Sequence, residues 1–172
     1  MCGIVGLFIK DKALEPRLGE LTAQMLATMC ERGPDSAGFA VYGDAEDGKA
    51  KLTVQSARAD QDFAGLDAAL SKAIGAPVEI ERKSSHAVLT VPADKADAAR
   101  AAIKADHPGV RIMSAGETIE IYKEVGWPTD VSDRFHLKQM SGSHAIGHTR
   151  MATESAVTTL GAHPFSTGAD QC

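Results

Sequence analysis

The spacing of apolar residues along the chain predicts an alternation of strands and helices. Residues 1–8 contain a short apolar run that is typical of a buried strand. From residue 14 to residue 29, leucine and methionine recur at steps of three and four. This predicts an amphipathic helix, which a Gly-Pro pair at 33–34 should end. Two strands are expected next, at residues 36–42 and 51–57. The order of these elements predicts a sheet with a helix on one of its faces.

The pattern changes beyond residue 60, where a second set of elements begins. Residues 60–75 carry apolar side chains on one side of a predicted helix. Beyond it the pattern predicts two strands, an alanine-rich helix and two more strands, at residues 78–81, 86–91, 93–105, 110–113 and 118–125. Because this module has its own periodicity and its own turns, we interpret it as a small α+β lobe inserted between parts of the main sheet.

The chain then returns to the main domain through a linker that begins at Trp127. The linker leads into a short helical stretch at 131–140 and a strand at 143–149, and a polar loop at 151–155 follows. We therefore divide the chain into an interrupted main domain and an inserted lobe with its linker. Their ranges are 1–59 with 141–172 for the main domain, and 60–140 for the lobe and linker.

Composition and charge exclude several classes of function. The 172 residues are 44% hydrophobic and 24% charged, which suits one domain with a core or one domain with an insert. A net charge of −5, an aromatic content of 5% and the absence of a Lys/Arg cluster argue against a nucleic-acid partner. No apolar run approaches the ~18–20 residues that span a bilayer, and no basic segment precedes the first apolar run as in a signal peptide. We expect a cytoplasmic protein without a membrane partner.

The cysteines indicate a reduced protein and raise one question of reactivity. They are Cys2, Cys30 and Cys172, without a Cys-x-x-Cys pair that would indicate a zinc site. Cys30 falls in a helical pattern and is expected in the core. Removal of Met1 would give Cys2 both a thiol and a free α-amine, which joins a nucleophile and a base in one residue. The alternative is that Cys2 follows the start methionine without any chemical role.

Four motifs in a fixed order bear on this question. They are Met-Cys-Gly-Ile-Val-Gly, Arg-Gly-Pro-Asp-Ser-Ala-Gly, Gly-His-Thr-Arg-Met-Ala-Thr and His-Pro-Phe, at residues 1–6, 32–38, 147–153 and 163–165. In this order they resemble class II glutamine amidotransferases. These are the N-terminal-nucleophile glutaminase domains of glutamate synthase, glucosamine-6-phosphate synthase and the amidophosphoribosyltransferases. The long insert resembles the stand-alone amidotransferase subunit of split, glutamate-synthase-like assemblies such as N-methylglutamate synthase.

The resemblance implies a fold and a reaction. The fold is α+β: the N-terminal part of an αββα Ntn-hydrolase sandwich with an inserted small α+β lobe. In the reaction, the Cys2 thiolate attacks the side-chain amide of L-glutamine, ammonia leaves, and water hydrolyses the γ-glutamyl thioester. The α-amine of Cys2 acts as base and acid, and neither a cofactor nor a metal is implied. A thiolate suits this role because it is a strong nucleophile and a good leaving group.

The same resemblance assigns roles to residues around Cys2. Arg150 would hold the α-carboxylate of the substrate, which a guanidinium binds in bidentate fashion; without the motif, a surface ion pair would be the default. Thr153 would contact the substrate, with a turn-forming threonine as the alternative. Arg32 and Gly33 would support the nucleophile. For Asp35 we prefer ordinary turn chemistry.

Two histidines lie within the motifs. Because the terminal amine is the implied base, His148 is expected to pack and hydrogen-bond within its strand. His163 is a candidate for a position near the substrate loop. Met151 stands where synthase members often carry tryptophan.

One departure from the family pattern limits the predicted activity. The family continues to an Asn-Gly pair that forms the oxyanion hole and to an aspartate that holds the substrate amine, yet no asparagine occurs in the 172 residues. Loss of one oxyanion donor costs ~10²–10³ in turnover, so we expect these residues alone to be inactive. One hypothesis is an N-terminal fragment of a longer amidotransferase domain. The other is a non-catalytic glutamine-binding or assembly subunit.

We expect the acceptor of the ammonia to lie elsewhere, because no synthase domain follows in these residues. The resemblance implies separate glutamate-synthase-like subunits that receive ammonia through an internal passage. The inserted lobe is a candidate docking surface for them.

Overall fold

The computed structural model describes residues 1–153 and 156–172, which form two compact units. The first unit comprises residues 1–44, 121–165 and 172, and the second comprises residues 45–120 and 166–171. Each unit has its own four-stranded sheet. The α+β class predicted from the sequence is therefore confirmed.

The elements follow one another in the order that the apolar spacing indicates. The strands are β1 (Gly3–Phe8), β2 (Ser36–Tyr42), β3 (Lys49–Gln55), β4 (Glu79–Lys83), β5 (His86–Pro92), β6 (Arg111–Gly116), β7 (Ile119–Val125) and β8 (His144–Arg150). The α-helices are α1 (Leu18–Ala27), α2 (Ala59–Asp62), α3 (Leu66–Ile74), α4 (Ala96–Asp106) and α5 (Pro128–Arg134). Short 3₁₀ turns flank several of them, including Thr159–Gly161.

The first unit is organised around β8. Its sheet has the order β1-β8-β2-β7, and β8 pairs antiparallel with both β1 and β2. Helix α1 lies close to β1 and β8, because Gly147 of β8 has no side chain. A Cβ there would stand 2.8 Å from both Val5 Cγ2 and Leu26 Cδ2. On the opposite side of β1, Ile4 and Phe8 remain 70% and 67% exposed.

The second unit is a split β-α-β arrangement. Its antiparallel sheet has the order β4-β5-β3-β6, and its core joins this sheet to α3 and α4. The core side chains are fully buried and come from both layers, as with Leu52, Leu89, Phe63, Leu70 and Ile103. This unit is mixed α+β, the class that the sequence predicts for the lobe.

The bounds of the lobe differ from the predicted range 60–140. The strand predicted at 51–57 was assigned to the sheet of residues 36–42, and this assignment was wrong. The corresponding β3 pairs with β5 and β6, because its alternate apolar residues face α3 and α4. At the other boundary, residues 121–140 belong to the first unit, since β7 lies beside β2 and α5 packs on β2.

Candidate active site at the end of the first sheet

The register of β1 on β8 brings the N-terminus to the end of the first sheet. Gly3 is paired with Thr149, so that Cys2 and Arg150 occupy the next positions on the two antiparallel strands. Cys2 is exposed there as a free thiol. On the other side of β8, Ser36 is paired with Arg150. The motifs at 1–6, 32–38 and 147–153 therefore meet at one place.

Two glycines allow these segments to approach one another closely. A Cβ on Gly3 would lie 2.8 Å from Thr149 Oγ1 and 3.1 Å from Met29 Cβ. A Cβ on Gly33 would lie 2.5 Å from the backbone nitrogen of Arg150, which cannot move aside as a flexible side chain would. Any other residue at 33 would therefore push the 32–35 segment away from the end of β8.

Arg32 lies beside the N-terminal residue. Its Nη2 stands 3.7 Å from Met1 Sδ, and the Met1 ammonium lies 2.8 Å from Met151 Sδ. Thr153 is exposed in the loop that follows Arg150. Residues 154 and 155 of the loop predicted at 151–155 lie outside the described residues.

Asp35 makes a long-range contact that its interpretation as turn chemistry did not include. Its carboxylate accepts a hydrogen bond from the backbone N–H of Ala152 at 2.7 Å. Its own N–H donates to the carbonyl of Arg150 at 3.1 Å, and its carbonyl accepts from Gly126. Asp35 therefore fixes the backbone on both sides of Met151. A partner 117 residues away leaves no signal in the local sequence.

The guanidinium of Arg150 lies against the turn at Thr159–Gly161. A Cβ built on Gly161 would stand 3.3 Å from Arg150 Nη1 and the same distance from Thr158 Oγ1. The turn is closed by a hydrogen bond from the Gly161 N–H to Thr158 Oγ1 at 3.1 Å. Because position 161 has no side chain, the half-buried Arg150 side chain can lie along the turn.

A group of basic side chains surrounds Arg150. His148 is only 8% exposed, and burial, followed by the nearby His163 and Arg150, lowers its pKa to about 4. Burial, followed by Lys123 and Arg150, also lowers the pKa of His163. At neutral pH both rings are therefore uncharged. Their centroids lie 4.5 Å apart, a contact that charged rings would disfavour.

The histidines meet the expectations from sequence only partly. His148 packs as predicted, but its contact is with the ring of His163 rather than a hydrogen bond within the strand. Within residues 1–153 and 156–172, Nδ1 of each ring is buried without a hydrogen-bond partner. His163 lies close enough to Arg150 for the two to interact electrostatically.

In the described part of the chain, no group of three or more His, Cys, Asp and Glu side chains is arranged to hold a metal ion. None of the helices described is long and apolar enough to cross a membrane.

Comparison with known proteins adds to this geometry. Over all 172 residues the chain is 61% identical to the glutamine amidotransferase-like protein GlxB of Rhizobium meliloti, of which it covers 57%. A second relative, a putative glutamine amidotransferase of Methanothermobacter thermautotrophicus, is 31% identical over 184 aligned residues, which cover 96% of this chain and 56% of the relative. The names of both relatives support an amidotransferase-like domain. No protein-family model matches the chain. The chain spans a little over half the length of both relatives.

Most residues singled out from the sequence come together in the structure. Cys2, Arg32, Gly33 and Arg150 lie at one end of the first sheet, and Thr153 follows in the adjoining loop. Sequence reasoning missed other parts of the site. These are the long-range contact of Asp35, the buried Lys123 and the turn at Thr159–Gly161.

Proposed function

We propose that the chain forms the glutaminase part of a class II, N-terminal-nucleophile glutamine amidotransferase. The observation that carries the proposal is the pairing of Gly3 with Thr149. This pairing places Cys2, which is exposed, and Arg150 at the next positions of the two strands, at one end of the sheet. A nucleophile and a carboxylate-binding group at that spacing suit an amino-acid substrate with a reactive side-chain amide. The names of the two relatives support glutamine as that substrate.

The proposed reaction begins after Met1 is removed. The Cys2 thiol gives its proton to its own α-amine, and the sulfur attacks the side-chain carbonyl carbon of glutamine. The amine returns the proton to the leaving nitrogen, so that ammonia departs and a γ-glutamyl thioester remains. Water then adds to the thioester carbon, the sulfur leaves as the thiol, and glutamate is released.

The residues around Cys2 would hold the amino-acid end of glutamine. Arg150 would bind the α-carboxylate, because its planar guanidinium forms two parallel hydrogen bonds and stays charged. Thr153 would contact the substrate from the adjoining loop. Arg32 would line the site beside the nucleophile, and Gly33 would keep the 32–35 segment against β8.

The oxyanion of the tetrahedral intermediate requires donors of its own. No asparagine occurs among the 172 residues, so an asparagine donor cannot come from them. In an αββα sandwich a second sheet covers the first, and the exposed Ile4 and Phe8 on the face of β1 away from α1 suit such a cover. We propose that the remaining donors and this second layer are contributed by other residues of the working enzyme.

The ammonia is proposed to pass to separate synthase subunits of the glutamate-synthase type in the cytoplasm. The second unit would provide the docking surface for them. Co-purification of the full-length protein with such subunits would test this, and binding that survives deletion of residues 45–120 would argue against the docking role.

Covalent labelling tests the nucleophile. The electrophilic glutamine analogue 6-diazo-5-oxo-norleucine should alkylate Cys2 of the full-length protein and shift the mass of its N-terminal peptide. Cys172→Ser serves as a matched control, because it removes a partly exposed thiol outside the proposed site. Cys2→Ala should lower ammonia release from glutamine on the order of 10³-fold or more. Unchanged release, or retention of Met1 in the active protein, would contradict the proposal.

A second candidate function is a non-catalytic glutamine-binding or assembly subunit, which the absence of asparagine favours. Calorimetry separates the two. A full-length protein that binds glutamine but neither releases ammonia nor reacts at Cys2 would support the second candidate.

A further inference from the structure

Lys123 is a buried cation next to the proposed site. It lies on β7, its side chain is 3% exposed, and burial lowers its pKa to about 8. A buried ammonium is costly unless its hydrogen bonds are satisfied. The contacts of Lys123 therefore indicate which part of the structure it serves.

The contacts described for the Lys123 ammonium lie on one segment, residues 162–165. The Lys123 ammonium donates to the carbonyl of Ala162 at 2.9 Å and to the carbonyl of Pro164 at 3.2 Å. Its Nζ also stands 3.9 Å from the centroid of the Phe165 ring, a cation–π contact. Lys123 thus holds the backbone on both sides of His163.

The neighbouring strand, β2, has a glycine at the position where this segment lies. A Cβ on Gly38 of β2 would overlap the carbonyl oxygen of His163 and would stand 2.5 Å from Lys123 Cβ. Because Gly38 has no side chain, the backbone at His163 can lie directly on the sheet. At this position the His163 ring contacts the ring of His148. His148 lies on β8, the neighbour of β2, where it is paired with Gly38.

The same segment continues into the turn that lies against Arg150. The N–H of Ala162 is within hydrogen-bond distance of the carbonyls of Thr158 and Thr159, at 3.2 and 3.3 Å. Glu124, next to Lys123 on β7, accepts a hydrogen bond from Thr159 Oγ1. Two adjacent residues of β7 therefore anchor the turn, and Gly161 of that turn lies against the Arg150 guanidinium.

We propose that Lys123 is a positioning residue of the substrate site. It fixes the 158–165 segment on the first sheet, and this segment in turn holds the Arg150 guanidinium in the orientation that binds the substrate carboxylate. The inference rests on the proposed function for its substrate, glutamine. Its structural part, that Lys123 orders the 158–165 segment, does not depend on that function.

Glutamine affinity measured by calorimetry tests the whole inference. In the full-length protein carrying Cys2→Ala, which prevents turnover, Lys123→Met should weaken glutamine binding about tenfold or more, as expected for loss of charge-assisted hydrogen bonds. Lys123→Arg keeps donors for both carbonyls and should recover most of the affinity. Lys138→Met, at an exposed lysine of the same unit, is the control and should have no effect. Unchanged affinity in Lys123→Met would overturn the proposal.

A second measurement separates failure of this inference from failure of the proposed function. The histidine ring signals in NMR should show the pKa of His163 rising in Lys123→Met, since the Lys123 charge helps to lower it together with burial and Arg150. Amide exchange at residues 159–162 should also become faster. If the parent protein binds no glutamine, the proposed function fails. Unchanged His163 titration and amide exchange would then overturn the role of Lys123 as well.

A variant that keeps Lys123 covers the case in which Lys123→Met does not fold. Gly38→Ala should displace the carbonyl of His163 and so disturb the same segment, with the same direction of change in glutamine affinity and amide exchange. Gly6→Ala is its matched control, because a Cβ on Gly6 of β1 would meet nothing within 4 Å. Equal behaviour of the two alanine variants would contradict the proposal.

Discussion

Arg150 illustrates how a residue type fixes the chemistry of the proposed site. It ends β8 beside Cys2, and its guanidinium lies along the Thr159–Gly161 turn. A lysine would keep the positive charge but would offer a point charge in place of a planar fork. A substitution of Arg150 by lysine can therefore separate the contribution of the positive charge to substrate binding from that of the planar guanidinium.

We predict that Arg150→Lys weakens glutamine binding by roughly 10–100-fold, because one of two charge-assisted hydrogen bonds to the carboxylate is lost. Calorimetric titration of the full-length Cys2→Ala protein with glutamine measures the change. Arg17→Lys, at an exposed arginine of the same unit that pairs with Glu20, should leave the affinity unchanged. If the two lysine variants bind glutamine equally well, Arg150 does not bind the carboxylate.

At the scale of elements, the site depends on how the 32–35 segment holds the end of β8. Pro34 forms a parallel bridge with Arg150, and Asp35 bonds to the backbone on either side of Met151. The loop that leaves β8 is thus fixed at its first residues by a segment from a distant part of the chain. Glycine at 33 permits this contact, and the Asp35 carboxylate completes it.

We predict that Asp35→Ala lowers glutamine affinity about 3–10-fold, because the Ala152 N–H loses its acceptor and the loop loosens. Asp35→Asn keeps an oxygen that accepts this bond and should retain most of the affinity. The amide exchange rate of Ala152 should rise in the alanine variant alone. Asp133→Ala, at an exposed carboxylate of α5, is the control. An alanine variant with normal affinity and normal exchange would show that Asp35 does not fix the loop.

The elements also show what sequence patterns can and cannot predict. Apolar spacing located β1, β2, β8 and the main helices, because burial on one face leaves a regular period. The same spacing could not tell that β3 pairs with β5 and β6, since pairing is decided by distant partners. The contacts of Lys123 escaped prediction for a related reason: its acceptors are backbone carbonyls, which any residue carries.

At the scale of the whole molecule, each unit has a sheet and a core of its own, and the basic group around Arg150 belongs to the first unit. His148 and His163 are held uncharged there by burial and by the neighbouring positive charges. Burial also lowers the pKa of His144 on the same strand. In mild acid, the folded state therefore binds fewer protons at these histidines than the unfolded chain does.

The stability of the protein should consequently fall in mild acid. The pKa of His148 is lowered from 6.5 to about 4, so between these values the unfolded state binds a proton that the folded state does not. Stability is unaffected by this group above pH 6.5 and decreases as pH falls toward 4, by up to about 3 kcal/mol. His163 and His144 add losses of the same sign. Urea denaturation of the full-length protein at several pH values measures the slope.

A substitution that removes the titrating ring should isolate the contribution of His148. His148→Phe keeps an aromatic ring beside His163, so it should be less sensitive to pH between 6.5 and 4 than the parent. The control is His136→Asn, at an exposed position with a φ of 56°, where asparagine is well tolerated. If the phenylalanine variant and the parent lost stability equally over this range, the acid sensitivity would arise from groups other than His148.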